Sequence, residues 1–383
     1  MIITNGILFC PDGEFHQNDI EIQAETITNI GSNSSEKQQD TIIDAKDCYV
    51  VPGFVDIHIH GAAGSDFGDG TPQAIDNMAQ FLVKHGVTGF LGTSLTLPED
   101  KLTEIYKNAR GFVGKSITNS ISSQAVLQGI YMEGPFFSIE KRGAQNKDFI
   151  IGADYDMFLR LFEVSGNSVK IVAIAPEVEN GMDFIKKVHS SCRVSLAHSC
   201  ADYNTAQLAF ENGASQTTHL FNGMNTFAHR DPGIVGAAAD SEAYVEVICD
   251  GYHIHPSMVR SIFKLFGDDK VCLISDAISA CGMPEGQYDL GGQAVTVKDG
   301  TATINNGSLA GSITVLTDCF RRAVDFGIPL ESALKAATIN PAKSIGLEDQ
   351  IGSLAKGKHA DMIIMNKDLS IKHVISSGNL VKH

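Results

Sequence analysis

No basic leader with an apolar core opens this chain, and no uninterrupted apolar run reaches the length of a membrane span. The sequence therefore predicts neither export nor bilayer insertion, and the expected compartment is the cytoplasm. Positive charge is scarce: 29 lysines and arginines stand against 45 aspartates and glutamates, a formal net charge of −16. So acidic a chain repels nucleic-acid phosphates and anionic lipid surfaces, which removes both as expected partners. If the substrate is an anion, the positive charge that holds it must be local. The eight cysteines form no CxxC pair. Cys249 in VEVICD and Cys272 in KVCLIS sit in apolar runs and read as reduced core residues. No GxGxxG follows an early strand, which counts against a dinucleotide-binding doubly wound sheet.

What is present is an ordinary globular composition, 383 residues with 43% hydrophobic and 19% charged. That length suits one large domain of roughly 250 to 300 residues and a smaller one. Residues 1–51 alternate apolar and polar in short runs, MIITNGILF, NDIEIQAETITNI and DTIIDAKDCYVV, with turn residues between them. The intervening SNSSEKQQD reads as a surface loop. From about residue 72, helical stretches alternate with apolar strands to beyond residue 320, about eight times. This pattern predicts a (β/α)8 barrel of the TIM type, with a doubly wound open sheet as the alternative. After Asn340-Pro341-Ala342 the texture of short strands and turns returns. The predicted organisation is a barrel at 53–346 and a small β-sandwich domain built from 1–52 and 347–383.

The chain is organised around Ser195–Asn225. A short apolar run stops at Ala197-His198-Ser199. A helix follows, with Asp202 as its predicted N-cap and Ala206, Leu208, Ala209 and Phe210 on one face, and Asn212-Gly213 end it. A second short strand, Ser215 to Thr218, then stops at His219. In a parallel barrel this spacing brings His198 and His219 to adjacent strand ends on one rim, where converging imidazoles make a metal site. The segment VDIHIHG has period two, with Val55, Ile57 and Ile59 on one face and Asp56, His58 and His60 on the other, predicted to point into the barrel. Further acids end strands at Glu133, Glu177, Asp250 and Asp276. Glu133, His198 and His219 supply three ligands and leave positions open, the arrangement of a catalytic metal site. Asp276, at the last strand, is placed to take a proton from water and return it to a leaving group. Glu177 is expected to cap a helix or to bond groups behind the ligands.

HxH on the first strand, later strand-end histidines and a last-strand aspartate resemble the amidohydrolase superfamily. MEGPF, RGAQN, AHS, THLFNGM, HRDPG, DGYHIHP, SDA and LAGS, nearly in full and in order, resemble its N-acetylglucosamine-6-phosphate deacetylase family across essentially the whole chain. The resemblance implies hydrolysis of the acetamide of a phosphorylated amino sugar, with one or two divalent ions per subunit, zinc, iron or manganese. It implies Glu133, His198 and His219 as metal ligands, His58 and His60 as ligands of a second site, and Asp276 as acid and base. It carries sugar-phosphate contacts to Ala144, Gln145, Asn222, Gly223, Arg230, His253, Leu309, Ala310, Gly311 and Ser312. Arg230 offers the local positive charge that the acidic chain requires. A homodimer is implied, with a phosphate-binding residue shared across the interface. The chain departs from the family pattern at Gln145 and Met132, where histidine is common. The galactose epimer as substrate, a cyclic amidase and a silent scaffold stay open as alternatives.

Overall fold

The computed structural model describes residues 1–31, 41–115, 124–305 and 307–382; the predicted loop SNSSEKQQD lies outside them. Eight parallel strands form one sheet, paired in chain order: Phe54–Ile59, Val87–Ser94, Val126–Glu133, Val169–Ile174, Arg193–Leu196, Ala214–Thr217, Tyr244–Ile248 and Val271–Ile274. The eighth strand lies against the first. The seam closes just beyond the strand end, where the Asp276 N–H donates to the His58 carbonyl (2.9 Å) and the His60 N–H to the Ala277 carbonyl (2.9 Å). Most of these strands are rich in β-branched and other apolar residues, and nearly every position is buried, as a parallel sheet covered on both faces requires. Helices from Pro72–Lys84 to Leu316–Asp325 follow the eight strands in turn and cover the outside. The predicted (β/α)8 barrel is the fold.

Local chemistry sets the helix ends. Asp202 caps Tyr203–Glu211 as predicted, accepting from the Thr205 N–H. Pro98 stands at the N-cap of Glu99–Ala109, where its missing N–H costs no helical hydrogen bond. Leu208 departs from the predicted apolar face and is 48% exposed.

The two chain ends share one mixed sheet, in the order Asn379–Leu380, Ile371–Ser376, Met362–Met365, Tyr49–Pro52, Ile2–Phe9, Phe15–Gln23 and Thr26–Gly31. Its two faces explain the doubly apolar strands. Val50, Met362 and Ile364 pack with Ile3, Leu8 and Ile20 in the sheet's own core. Val51, Ile363 and Met365 join the layer outside the barrel. Three antiparallel strands between Gly286 and Ile304 form a separate small sheet that the sequence reading did not single out. All eight cysteines are free. Among the described residues, no helix is long and apolar enough to cross a membrane.

Candidate metal centre

The first barrel strand does not keep its period of two. Val55 and Ile57 lie in the apolar cluster with Leu91, Tyr131 and Ile171, whereas Ile59 packs in the outer layer. Between Asp56 and Ile59 the register with the second strand shifts, a β-bulge that re-aims the side chains after it. His58 and His60 both turn toward Glu133, their Nε2 atoms 3.6 and 3.4 Å from it. Asp56 does not: its Oδ1 accepts from the backbone N–H groups of His58 and Ser275 (both 3.3 Å), at the seam between first and last strands. Burial dominates there and raises its pKa to about 6.

Glu133 ends the third strand. His198, His219 and Asp276 each stand two residues past the fifth, sixth and eighth strands. All three adopt left-handed backbone, with φ of 46°, 28° and 48°. Such conformations cost on the order of 1–3 kcal/mol each in non-glycine residues and cluster where function needs an aimed side chain. Gly223 serves the same corner. Its φ is 61°, and a Cβ there would stand 2.9 Å from His198 Nδ1.

Glu133 lies among four imidazoles. From its nearer oxygens, His198 Nε2 is at 3.2 Å, His219 Nε2 at 3.3 Å, His60 Nε2 at 3.4 Å and His58 Nε2 at 3.6 Å. His198 Nε2 and His219 Nε2 are 3.2 Å apart. The tautomers follow from the outer partners. His198 Nδ1 donates to the Lys141 carbonyl (2.9 Å), His60 Nδ1 to the Thr93 carbonyl (3.2 Å) and His58 Nδ1 to Glu246 (2.9 Å). None of these acceptors can donate, so each Nδ1 carries the proton and the Nε2 lone pairs converge on carboxylate oxygens. Acceptors facing acceptors at such range need a cation or added protons between them. Ligands about 2.0–2.2 Å from one tetrahedral ion lie roughly 3.3–3.6 Å apart, so the cluster fits a divalent metal. Glu133 with His198 and His219 makes one candidate set, and Glu133 with His58 and His60 a second.

The pKa shifts express the same demand. For His58 and His60 burial works downward, but nearby carboxylates outweigh it, those of Glu246, Asp276 and Glu133 for His58 and of Asp276, Glu133 and Asp66 for His60, and both rise to about 9. Burial pushes Glu133 up, yet hydrogen bonds from His198 and His219 and the charges of His58 and His60 hold it well below the usual range. Asp276 is held down in the same way by His58, His60 and His219. Its Oδ1 is 3.2 Å from His60 Nε2 and 3.5 Å from His58 Nε2. Stability from the raised histidines is full below their unfolded pKa near 6.5 and is lost as pH rises through about 9. The chelator-treated protein should therefore lose on the order of 5 °C in Tm between pH 7 and 9.5, while the metal-loaded protein should not, since the ion replaces the protons. Scanning calorimetry of both forms tests this, and parallel Tm profiles would contradict it.

Above the cluster is a cavity of about 310 Å³, lined by His60, Glu133, His198, His219 and Asp276 and by Ala144, Gln145, Asn222, Gly223, His253, Leu309 and Gly311. Ala310 and Ser312 are buried behind this wall. Arg230 is exposed and outside the lining. Gln145 Oε1 accepts from the Thr96 N–H (2.8 Å), which turns its amide group to donate to Glu133 (2.7 Å). His253 Nδ1 donates to Asp250 (2.7 Å), leaving Nε2 for the cavity. Glu177 takes the Ser199 hydroxyl (2.6 Å) and the Cys200 N–H (2.5 Å), fixing the chain just past His198. Glu246 was missed by the sequence reading. Its signal was a lone acid centred in the apolar strand Tyr244–Ile248.

The amidohydrolase family model matches residues 49–381. The chain is 36% identical over 337 residues to an N-acetylglucosamine-6-phosphate deacetylase of Bacillus subtilis, covering 87% of this chain and 85% of that one. It is 32% identical over 332 residues to an N-acetylgalactosamine-6-phosphate deacetylase of Escherichia coli O157:H7, covering 86% of each. The solved N-acetylglucosamine-6-phosphate deacetylase of Pasteurella multocida superposes with a TM-score of 0.93 at 27% identity, over 100% of this chain and 99% of that one.

Proposed function

This chain belongs to the amidohydrolase family, and on that footing we propose that it is a metal-dependent N-acetylglucosamine-6-phosphate deacetylase. It hydrolyses the acetamide to glucosamine 6-phosphate and acetate, in amino-sugar catabolism. The observation that carries the reading is one cavity lined by Glu133, His60, His198, His219 and Asp276, in which Glu133 meets three imidazole Nε2 atoms, with that of His58 behind them, and Asp276 stands 3.2 Å from His60.

Glu133, His198 and His219 would hold one ion, with His58 and His60 available to a second; zinc, iron or manganese suits the N/O donors. When bound, the cation supplies Lewis acidity, lowering the pKa of water from about 15.7 toward 7 and drawing electron density from a carbonyl oxygen. Asp276, held ionised by its histidines, takes a proton as the water oxygen adds to the acetyl carbon. When the carbon–nitrogen bond breaks, Asp276 returns that proton to the amine, so the proton count closes. Gln145 carries a second amide hydrogen beyond the one given to Glu133, available to a sugar or acyl oxygen. His253 Nε2, Asn222 and the Leu309–Gly311 loop offer contacts to the sugar and its phosphate.

The exposed segment 226–230, with Phe227 42% exposed near Arg230, supports a homodimer in which Arg230 serves the neighbouring subunit's phosphate. The reading is of a cytoplasmic enzyme acting on a small phosphorylated sugar.

Acetate release from N-acetylglucosamine 6-phosphate, the unphosphorylated sugar and the galactose epimer phosphate tests the reading on metal-loaded protein. Release from the first alone is expected. Preference for the epimer would move the assignment to the activity named for the Escherichia coli relative. Silence on all three would overturn it.

A further inference from the structure

We infer that Glu246 is a positioning residue that holds His58 with Nε2 turned into the cluster, and so enables the His58–His60–Glu133 side to take a second divalent ion. The inference rests on the metal-dependent reading above. Three cluster histidines bond outward through Nδ1, but His60 and His198 do so to neutral carbonyls. His58 alone among them meets a carboxylate, at 2.9 Å. A carboxylate behind an imidazole fixes its tautomer and strengthens the other nitrogen as a ligand.

Glu246 is itself held. Its Oε2 also accepts from the His219 N–H (3.2 Å), and its Oε1 accepts from Gln216 Nε2 (2.6 Å). Gln216 Oε1 in turn accepts from the Ser344 hydroxyl (2.5 Å), on the helix Ile339–Ser344. His58, Glu246 and Gln216 are fully buried and Ser344 is 2% exposed. The polar chain therefore runs from that helix through the barrel interior to a ligand ring on one side and a ligand backbone on the other. Apolar packing has no need of such a chain, and a buried carboxylate is costly unless its partners are fixed. Glu246 does not line the substrate cavity, so it acts through His58.

The test is metal binding, read without substrate. Chelator-stripped wild type, Glu246→Gln and Ser344→Ala are titrated with zinc, and ions per subunit are counted by elemental analysis. The wild type should take two ions. Glu246→Gln should keep the first affinity and bind the second about 10- to 100-fold more weakly, with Ser344→Ala losing less of the same ion. Two ions at wild-type affinity in Glu246→Gln, equal loss of both ions, or a single ion in the wild type would each overturn the inference while leaving a metal enzyme. Binding of no ion by the wild type would overturn the metal-dependent reading itself. If Glu246→Gln does not fold, nitrogen-15 spectra of histidine-labelled, zinc-loaded wild type decide: His58 should be protonated at Nδ1, and a proton at Nε2 would overturn the inference.

Discussion

Asp276→Asn should keep its metal and its substrate and lose at least about 10²-fold in turnover. Asparagine matches aspartate in shape and can still meet His60 Nε2, now 3.2 Å from Oδ1. What it cannot do is accept a proton from water and return it to the amine. The loss should fall on kcat with KM little changed, because the missing interaction belongs to the reaction step and not to binding. The pH profile should change with it. His58, His60 and His219 hold Asp276 below the ordinary carboxylate range, so a limb at low pH governed by this base should disappear in the variant. Steady-state kinetics across pH, with metal content measured on the same sample, decides the case. Near-normal turnover in a variant of unchanged metal content would remove Asp276 from the mechanism.

Glu133→Gln should lose more, on the order of 10³-fold in kcat/KM, because the metal goes with it. Its carboxylate is shared by both candidate ligand sets, and an amide brings neither the charge nor two equivalent oxygens. Removing one partner from a buried charged cluster also destabilises by roughly 3–5 kcal/mol. A second readout separates this from simple misfolding. Part of the rise of His58 and His60 to about 9 comes from Glu133, so the alkaline loss of Tm in metal-free Glu133→Gln should begin at lower pH than in the metal-free wild type. Calorimetry and metal analysis together read both effects. A variant that retains stoichiometric metal would show that Glu133 is not the shared ligand.

Much of this architecture was legible from the chain alone, because the signals are local. Apolar strands alternating with amphipathic helices imply a parallel barrel, since each helix must bury its stripe on the sheet beside it. A barrel brings strand ends to one rim, so Glu133, His198, His219 and Asp276 could be grouped across 143 positions of sequence before any geometry was known. The HxH on the first strand pointed to the same rim. Glu177 was legible as a group behind the ligands, and it bonds Ser199 and Cys200.

Other features depended on packing that no local pattern records. The bulge after Asp56 came from how the first strand meets the second and eighth, so a strict period of two sent Asp56 to the wrong place. Glu246 looked like one acid in an apolar strand, and only its neighbours across the barrel make it a partner of His58 and His219. The small sheet between Gly286 and Ile304 reads weakly in sequence because its strands are short and half exposed. Arg230 was singled out by the resemblance as a sugar-phosphate contact and by its charge, and the fold leaves it on the surface, outside the cavity. By itself the sequence determined the barrel, the rim and the chemical types gathered there, because burial and periodicity act over a few residues. The tertiary structure alone decided which nitrogen of each histidine faces inward, which carboxylates share them and which residues wall the cavity, because those depend on contacts between segments far apart in the chain.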